Sequence, residues 1–484
     1  MPEQVDTVIV GSGFAGLGAA IRLDGAGRRD WVLLEKAGTL GGTWRDNVYP
    51  GCACDVESHL YSFSFFPHDG WTRTFARQAE IRSYLEDVAD HYRLRDRVRF
   101  GAHVTGAEWD GTHWDVTLAD GDVLRARYVV FGTGALHEPA VPEIEGLSGF
   151  AGAAFHSAQW DPSVDLRGKR VAVIGTGASA IQFVPAIAPE AGHLTLFQRT
   201  APWVLPKPDK PIPERTRRAF RRVPGLRRAY RAALYWRHEA MVVGFLHPRV
   251  MRIAERVARL YLRRAFAGDD ALRRAVTPDF TMGCKRVLMS NDYYPALRRA
   301  DVTVETTGIA RITERGVVTT DGAEHPCDVI VFGTGFRVGD GMSRMTITGR
   351  DGVKLADAWQ DGPQALYGTT VAGFPNLFSV VGPNTGLGHS SMVLMIESQL
   401  NYVLGAMDLV DRHRAVAVDT RRDVQDAHNA DLQARLGAAV WGSGGCASWY
   451  LDAHGRNRTL WPGYTFDFRR RTRRVDPAAH ELVA

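Results

Sequence analysis

The sequence predicts an α/β chain of two parallel-sheet units, the second carrying a helical insertion. Two observations lead there. VDTVIV at 5–10 runs into Gly11, the stretch 14–23 is apolar at helical spacing, and WVLLE at 31–35 reads as a second buried strand. The same pattern returns with KRVAVIG at 169–175, a helix over 178–188 and HLTLFQ at 193–198. Glycine makes up 50 of 484 residues without a collagen period, which points to tight turns and to backbone brought close to ligands.

YVVFGTG at 128–134 and VIVFGTG at 329–335 are buried strands ending in Gly-Thr-Gly, read here as the two crossings between domains. Residues 98–121 and 302–322 alternate like small antiparallel meanders. Residues 206–275 are helical by pattern, 391–410 form a further helix, and 440–464 read as a Trp/Gly-rich loop. The boundaries expected are a first domain in 1–140, a linker in 141–165, and a second domain in 166–335 with its helical part near 206–280. Residues 336–484 then return to the first domain.

A charged fraction of 23% and a hydrophobic fraction of 45% suit a globular chain, and a net charge of +5 argues against a dedicated nucleic-acid binder. The first residues lack a basic stretch followed by an apolar one, and no apolar run approaches the ~20 residues of a membrane span, so secreted and integral-membrane classes are set aside. Five cysteines, an odd number, point to free thiols and a reducing compartment, hence to the cytoplasm. Cys52 and Cys54 lack the spacing of a redox or metal pair, so they read as buried thiols and no metal is expected. Residues 207–275 hold 19 Lys/Arg against 6 Asp/Glu. Three readings of that segment stay open: a solvated face, a funnel for an anionic cofactor, or loose docking on an anionic membrane surface.

Gly11-x-Gly13-x-x-Gly16 follows a strand and opens a helix. The first glycine allows the turn, the second lets backbone approach a pyrophosphate, and the third lets helix pack on strand. Glu35, 24 residues after Gly11, ends the second strand, where a carboxylate binds a ribose diol. The second motif is Gly175-x-Gly177-x-x-Ala180, and the same count reaches Arg199, followed by Thr200. These side chains suit a 2′-phosphate, which predicts NADPH over NADH. The chain is therefore read as two Rossmann-like dinucleotide-binding domains with a helical insertion. The economical pair of cofactors is FAD and NADPH, with hydride passing from nicotinamide to flavin.

Phe150-x-Gly152-x-x-x-His156-x-x-x-Trp160-Asp161, just before the second glycine motif, resembles the fingerprint of the type I Baeyer–Villiger monooxygenases at every defined position. Gly41-Gly42-Thr43-Trp44, Tyr49-Pro50-Gly51, Asp55-Val56-Glu57-Ser58, Lys285-Arg286 and Ser448-Trp449-Tyr450 extend the resemblance over essentially the whole chain. It implies an NADPH-dependent flavoprotein monooxygenase. Reduced FAD captures O2 as a C4a-peroxide, which attacks a small ketone to give an ester or lactone. Arg286 matches the active-site arginine, whose guanidinium stays charged at any working pH and stabilises peroxide and oxyanion. Asp55 matches the carboxylate that positions it near the flavin.

The resemblance places Lys285 with Arg199 and Thr200 at the 2′-phosphate, and Trp449 on a loop that closes over NADP. It places Thr43, Trp44, Asp55, Tyr61, Val104 and Met392 at FAD. His156 and Trp160 match a linker that couples domain motion to catalysis and does no chemistry itself. Taken alone, Arg286 reads as a surface ion pair and Asp55 as a helix cap. The loop 382–392 departs from the cyclohexanone-type sequence and looks more like the flavin-containing monooxygenases, with Leu387 and His389 facing the substrate. Sulfide or amine oxygenation is therefore the alternative activity.

Overall fold

In the computed structural model, which describes residues 2–338, 342, 344–452 and 454–484, the two glycine motifs each sit at the end of a strand with a parallel neighbour on either side. The first sheet contains β1 (Glu3–Val10), β2 (Trp31–Glu35), β3 (Val98–Phe100), β4 (Val104–Trp109), β5 (Trp114–Leu118) and β6 (Val123–Phe131). β1 lies in parallel between β2 and β6, with Val8 opposite both Val32 and Val129. Period-2 alternation sends Ile9 into a core with Leu17, Leu33 and Leu400, and Val8 and Val10 into another with Trp114 and Phe374. All of β2 is buried, as a strand covered on both faces should be. The stretch 98–121 is only partly the expected meander: β3 joins β2 in parallel, while β4, β5 and the start of β6 are antiparallel. A three-residue strand is too short for alternation to choose its partner, and the open edge of β2 takes it.

The second sheet is built from β7 (Ala153–His156), β8 (Arg170–Ile174) and β9 (His193–Phe197). A short ribbon pairs β10 (Val204–Leu205) with β11 (Leu288–Met289). β12 (Val302–Glu305) pairs in parallel with β9, so only β13 (Ile309–Thr313), β14 (Gly316–Thr319) and β15 (Glu324–Pro326) form a meander in the stretch 302–326. β16 (Val329–Phe332) completes the order β12-β9-β8-β16-β7. The chain then rejoins the first sheet through β17 (Thr346–Thr348) beside β4 and β18 (Leu377–Ser379) beside the end of β6. The two Gly-Thr-Gly crossings are equivalent: Gly132 N donates to Val10 O and Gly333 N to Ile174 O, both at 2.8 Å.

The insertion comprises helices Glu214–Arg222, Leu226–Leu246, Pro248–Ala265 and Asp270–Ala275. Pro248 sits where a helix start tolerates a missing N–H. Phe245, Met251 and Met282 from this region share an apolar cluster with Trp441 and Tyr450 of the C-terminal loop. The helix expected at 391–410 is Met392–His413, capped by Ser391, whose hydroxyl accepts from Val393 N at 3.3 Å. Within 440–464 a single helical turn, Val440–Ser443, precedes the loop. Among the described residues no helix is long and apolar enough to cross a membrane.

The cysteines require a correction. Cys284 and Cys446 form a disulfide, and only Cys52, Cys54 and Cys327 are free, all three buried. The partners are 162 residues apart and only the fold brings their Cα atoms to 6.2 Å, so an odd count is no argument against a bond. The inference from free thiols to a reducing compartment loses its ground.

Candidate active site

Gly11 has φ +96°, and a Cβ on Gly16 would lie 1.7 Å from the Gly11 carbonyl oxygen. Gly13 differs: a Cβ there would meet nothing nearer than Gly42 Cα at 3.8 Å, and Gly42 faces it from the opposite loop. Two bare backbones thus border an open groove at the N-terminus of the helix Phe14–Gly25, a cradle that side chains would fill. Glu35 braces this turn. Its Oε2 accepts from Ser12 N at 3.0 Å and Ser12 Oγ at 2.6 Å, and its Oε1 lies 2.9 Å from Ala37 N and from Arg45 Nη1. Burial alone would raise the Glu35 pKa, but these partners hold it below the ordinary carboxylate range. Across the groove Thr43 begins the turn Thr43–Asp46, and Trp44 Nε1 donates to Tyr61 OH at 3.1 Å. Met392 opens its helix. The Val104 side chain is buried in the core, which leaves only its backbone to face a ligand.

The second motif repeats the geometry. Gly175 has φ +109°, and a Cβ there would lie 2.4 Å from Gly333 O, whereas one on Gly177 would meet nothing nearer than 3.7 Å. Ala180 opens the helix Ala180–Ile187 and is fully buried. Thr176 Oγ1 donates to Thr200 O at 3.0 Å, which sets the Arg199-Thr200 turn on the glycine loop. Burial and the nearby Arg199 charge push the Lys285 pKa down. Among the described residues neither cation is in an ion pair; Lys285 Nζ stands 4.9 Å over the Phe280 ring, within reach of the Arg199 and Asp279 charges.

Arg286 adjoins Lys285 and turns to a carboxylate. Its Nε and Nη2 donate to Oδ2 of Asp55, at 2.8 and 2.6 Å, and its Nη1 donates to Leu387 O at 3.3 Å. Among the described residues each terminal nitrogen keeps one N–H beyond these bonds, with the Tyr450 phenol close by. Burial works to raise the Asp55 pKa, but Arg286 and then Lys207 hold it low, while Asp55 raises that of Arg286. The pair therefore stays ionised at any working pH. Tyr450 is buried near this pair, and the Arg286 charge opposes the rise that burial gives its phenol. Trp449 is 46% exposed, with its ring 4.4 Å from that of Tyr450. Both line a cavity of about 320 Å³ with Thr133, Gly134, Val381 and Thr385, at the carboxyl ends of β6 and β18.

Several residues here had no signal beyond the motif strings that contain some of them. Lys207 donates to Cys54 O at 2.9 Å and stands over the Phe75 ring. Glu57, 3% exposed, binds Arg237 and accepts from His238 Nε2 at 2.6 Å, while His238 Nδ1 contacts His389 O in the 382–392 loop. Gln182 bonds like a peptide: its Oε1 accepts from Ala53 N at 3.2 Å and Tyr49 OH at 3.1 Å, and its Nε2 donates to Ala53 O at 3.0 Å. In the fingerprint, His156 ends the edge strand β7 with Nδ1 accepting from Ala158 N at 3.1 Å. The Trp160 ring contacts those of Phe155 and Phe183.

A family model described as pyridine nucleotide-disulphide oxidoreductase matches residues 8–223. A Baeyer-Villiger monooxygenase of Pseudomonas aeruginosa is 51% identical over 479 residues, covering 98% of this chain and 91% of its own. The crystal structure of cyclohexanone monooxygenase from Rhodococcus sp. Phi1 bound to NADP+ is similar with a TM-score of 0.88 at 30% identity, over 100% of each chain. That of OTEMO in complex with FAD and NADP is similar with a TM-score of 0.90 at 26% identity, also over 100% of each chain.

Proposed function

The chain belongs to the Baeyer–Villiger monooxygenases, NADPH-dependent flavoproteins that insert one oxygen atom of O2 into an organic substrate, and from that premise we propose which residues serve the reaction and what it acts on. FAD binds along Gly11, Gly13 and Gly16, with Glu35, Thr43, Trp44, Asp55, Tyr61, the Val104 backbone and Met392. NADPH binds along Gly175, Gly177 and Ala180, with Arg199, Thr200 and Lys285 at its 2′-phosphate and Trp449 over it. Bound NADPH supplies a hydride, and bound FAD is where O2 is activated.

Arg286 is the catalytic residue. Its two remaining N–H groups stabilise negative charge as it builds on oxygen at the reacting carbonyl, in a fixed orientation that needs no reorganisation. Asp55 is the positioning residue: both of its contacts with Arg286 converge on one oxygen, which fixes the guanidinium plane and keeps the charge compensated. The substrate is a small ketone, converted to an ester or lactone. The observation that carries this reading is the Arg286–Asp55 pair, in a chain that also carries two glycine motifs. The test supplies NADPH and ¹⁸O2 with a ketone and, separately, with an alkyl aryl sulfide. One ¹⁸O in an ester, lost in Arg286→Ala, supports it. Sulfoxide with no ester from any ketone assigns heteroatom oxygenation instead.

A further inference from the structure

We propose that the Cys284–Cys446 disulfide is a positioning element of the oxygenation site, tying the loop that bears Trp449 and Tyr450 to the segment that bears Lys285 and Arg286. Cys284 is 1% exposed and directly precedes Lys285; Cys446 stands three residues before Trp449. Among the described residues, the hydrogen bonds of residues 445–449 reach no further than Leu451. Ser448 bonds only to Tyr450 N and Leu451 N. The ties on either side lie outside that span: Thr281 N to Gly444 O at 3.3 Å and Arg458 N to Tyr450 O at 3.2 Å.

Burial does not hold Trp449, which is nearly half exposed, although it lines the cavity. Within these five residues the covalent bond to Cys284 is the firm attachment. Apart from Cys446 itself against the apolar cluster and the Trp449 ring against Tyr450, the segment has little to hold it, so removing the tether lets the tryptophan leave the cavity rim at little cost.

A dithiol reductant opens the bond by exchange. Its thiolate attacks the more accessible Cys446 sulfur and frees Cys284, and its second thiol then displaces Cys446. The reductant loses two S–H bonds to form its own disulfide, and the protein gains two.

The proposal rests on the reading of Trp449 and Lys285 as NADPH-site residues, so its test includes a readout independent of turnover. Full-length holoenzyme is compared before and after dithiothreitol, and after reoxidation, by alkylation mapping, amide hydrogen exchange and steady-state kinetics. Without reductant, alkylation in denaturant labels three cysteines and leaves the peptides of Cys284 and Cys446 linked. Reduction speeds exchange of amides 445–449 at least tenfold. It raises the KM for NADPH at least threefold and the hydrogen peroxide released per NADPH, with kcat changed less than twofold; reoxidation reverses all of these. Cys446→Ser behaves as the reduced chain and ignores dithiothreitol. If that variant does not fold, reversible reduction of the unaltered chain carries the comparison. Five labelled cysteines in the untreated protein, or unchanged exchange at 445–449, overturn the tether. Faster exchange with unchanged KM and peroxide release overturns the positioning role. Faster exchange in a protein that oxygenates no ketone locates the failure in the functional reading instead.

Discussion

Lys285 and Arg286 are joined by one peptide bond and meet opposite charges: Lys285 shares its surroundings with Arg199, while Arg286 holds Asp55 at 2.6 Å. One segment, just ahead of β11, thus carries one cation near Arg199 and one paired with the loop that bears Asp55. Their roles separate cleanly by substitution.

Arg286→Ala is expected to lower kcat for product formation at least about 100-fold, the scale of losing a positioned donor to a developing oxyanion. Arg286→Lys recovers little, because an ammonium cannot hold one Asp55 oxygen from two nitrogens and still present two N–H groups. Product formation and the flavin absorbance of the purified protein check this: activity falls and bound flavin stays.

Asp55→Asn keeps the shape and removes the charge. Both side chains are partly exposed, 28% for Arg286 and 33% for Asp55, so solvent screens the loss and the melting temperature moves by only a few degrees. The looser guanidinium is expected to lower kcat about 10- to 100-fold with KM for NADPH little changed. Steady-state kinetics beside a thermal melt separate the two effects.

Arg199→Ala and Lys285→Ala each remove one charge-assisted contact to a 2′-phosphate, worth about 1.5–3 kcal/mol. The expected result is an increase of about tenfold or more in KM for NADPH, with KM for NADH unchanged. Equal losses with both nucleotides would remove these residues from the 2′-phosphate site.

Stability is expected to fall as the pH drops from 6.5 towards 4. Burial pushes the imidazoles of His59, His428 and His480 down to about 4. They fold neutral but take up protons near pH 6.5 when unfolded, so their contribution is complete above 6.5 and is lost on acidification. Asp419 acts in the opposite sense: burial raises its pKa to about 6, so the folded chain keeps a proton there that the unfolded chain has released. From these four groups the net uptake on unfolding near pH 5 is about two protons, a slope of about 2.7 kcal/mol per pH unit. Guanidinium melts at pH 5 and 6 measure it.

Both central sheets were legible because each begins with a long β-branched run that ends in glycine, and Gly11 and Gly175 both take the positive φ that such a turn demands. The partners of the short strands β3 and β12 are not legible, since three or four residues carry no pattern strong enough to select an edge. The Arg286–Asp55 pair was reached through family likeness, not through spacing: 231 residues separate them. Glu57 with His238, and Lys207 with the Cys54 carbonyl, join the helical insertion to the N-terminal loop, and such contacts exist only after folding. The Cys284–Cys446 bond is hidden from the sequence for the same reason.

The amide of Gln182 forms a one-residue piece of β-ladder with Ala53, two positions from Asp55, and its own helix opens at the second glycine motif. The stretch that bears Asp55 is therefore pinned to the second unit at two points, by the Gln182 amide and by Arg286, which leaves the carboxylate little room to turn.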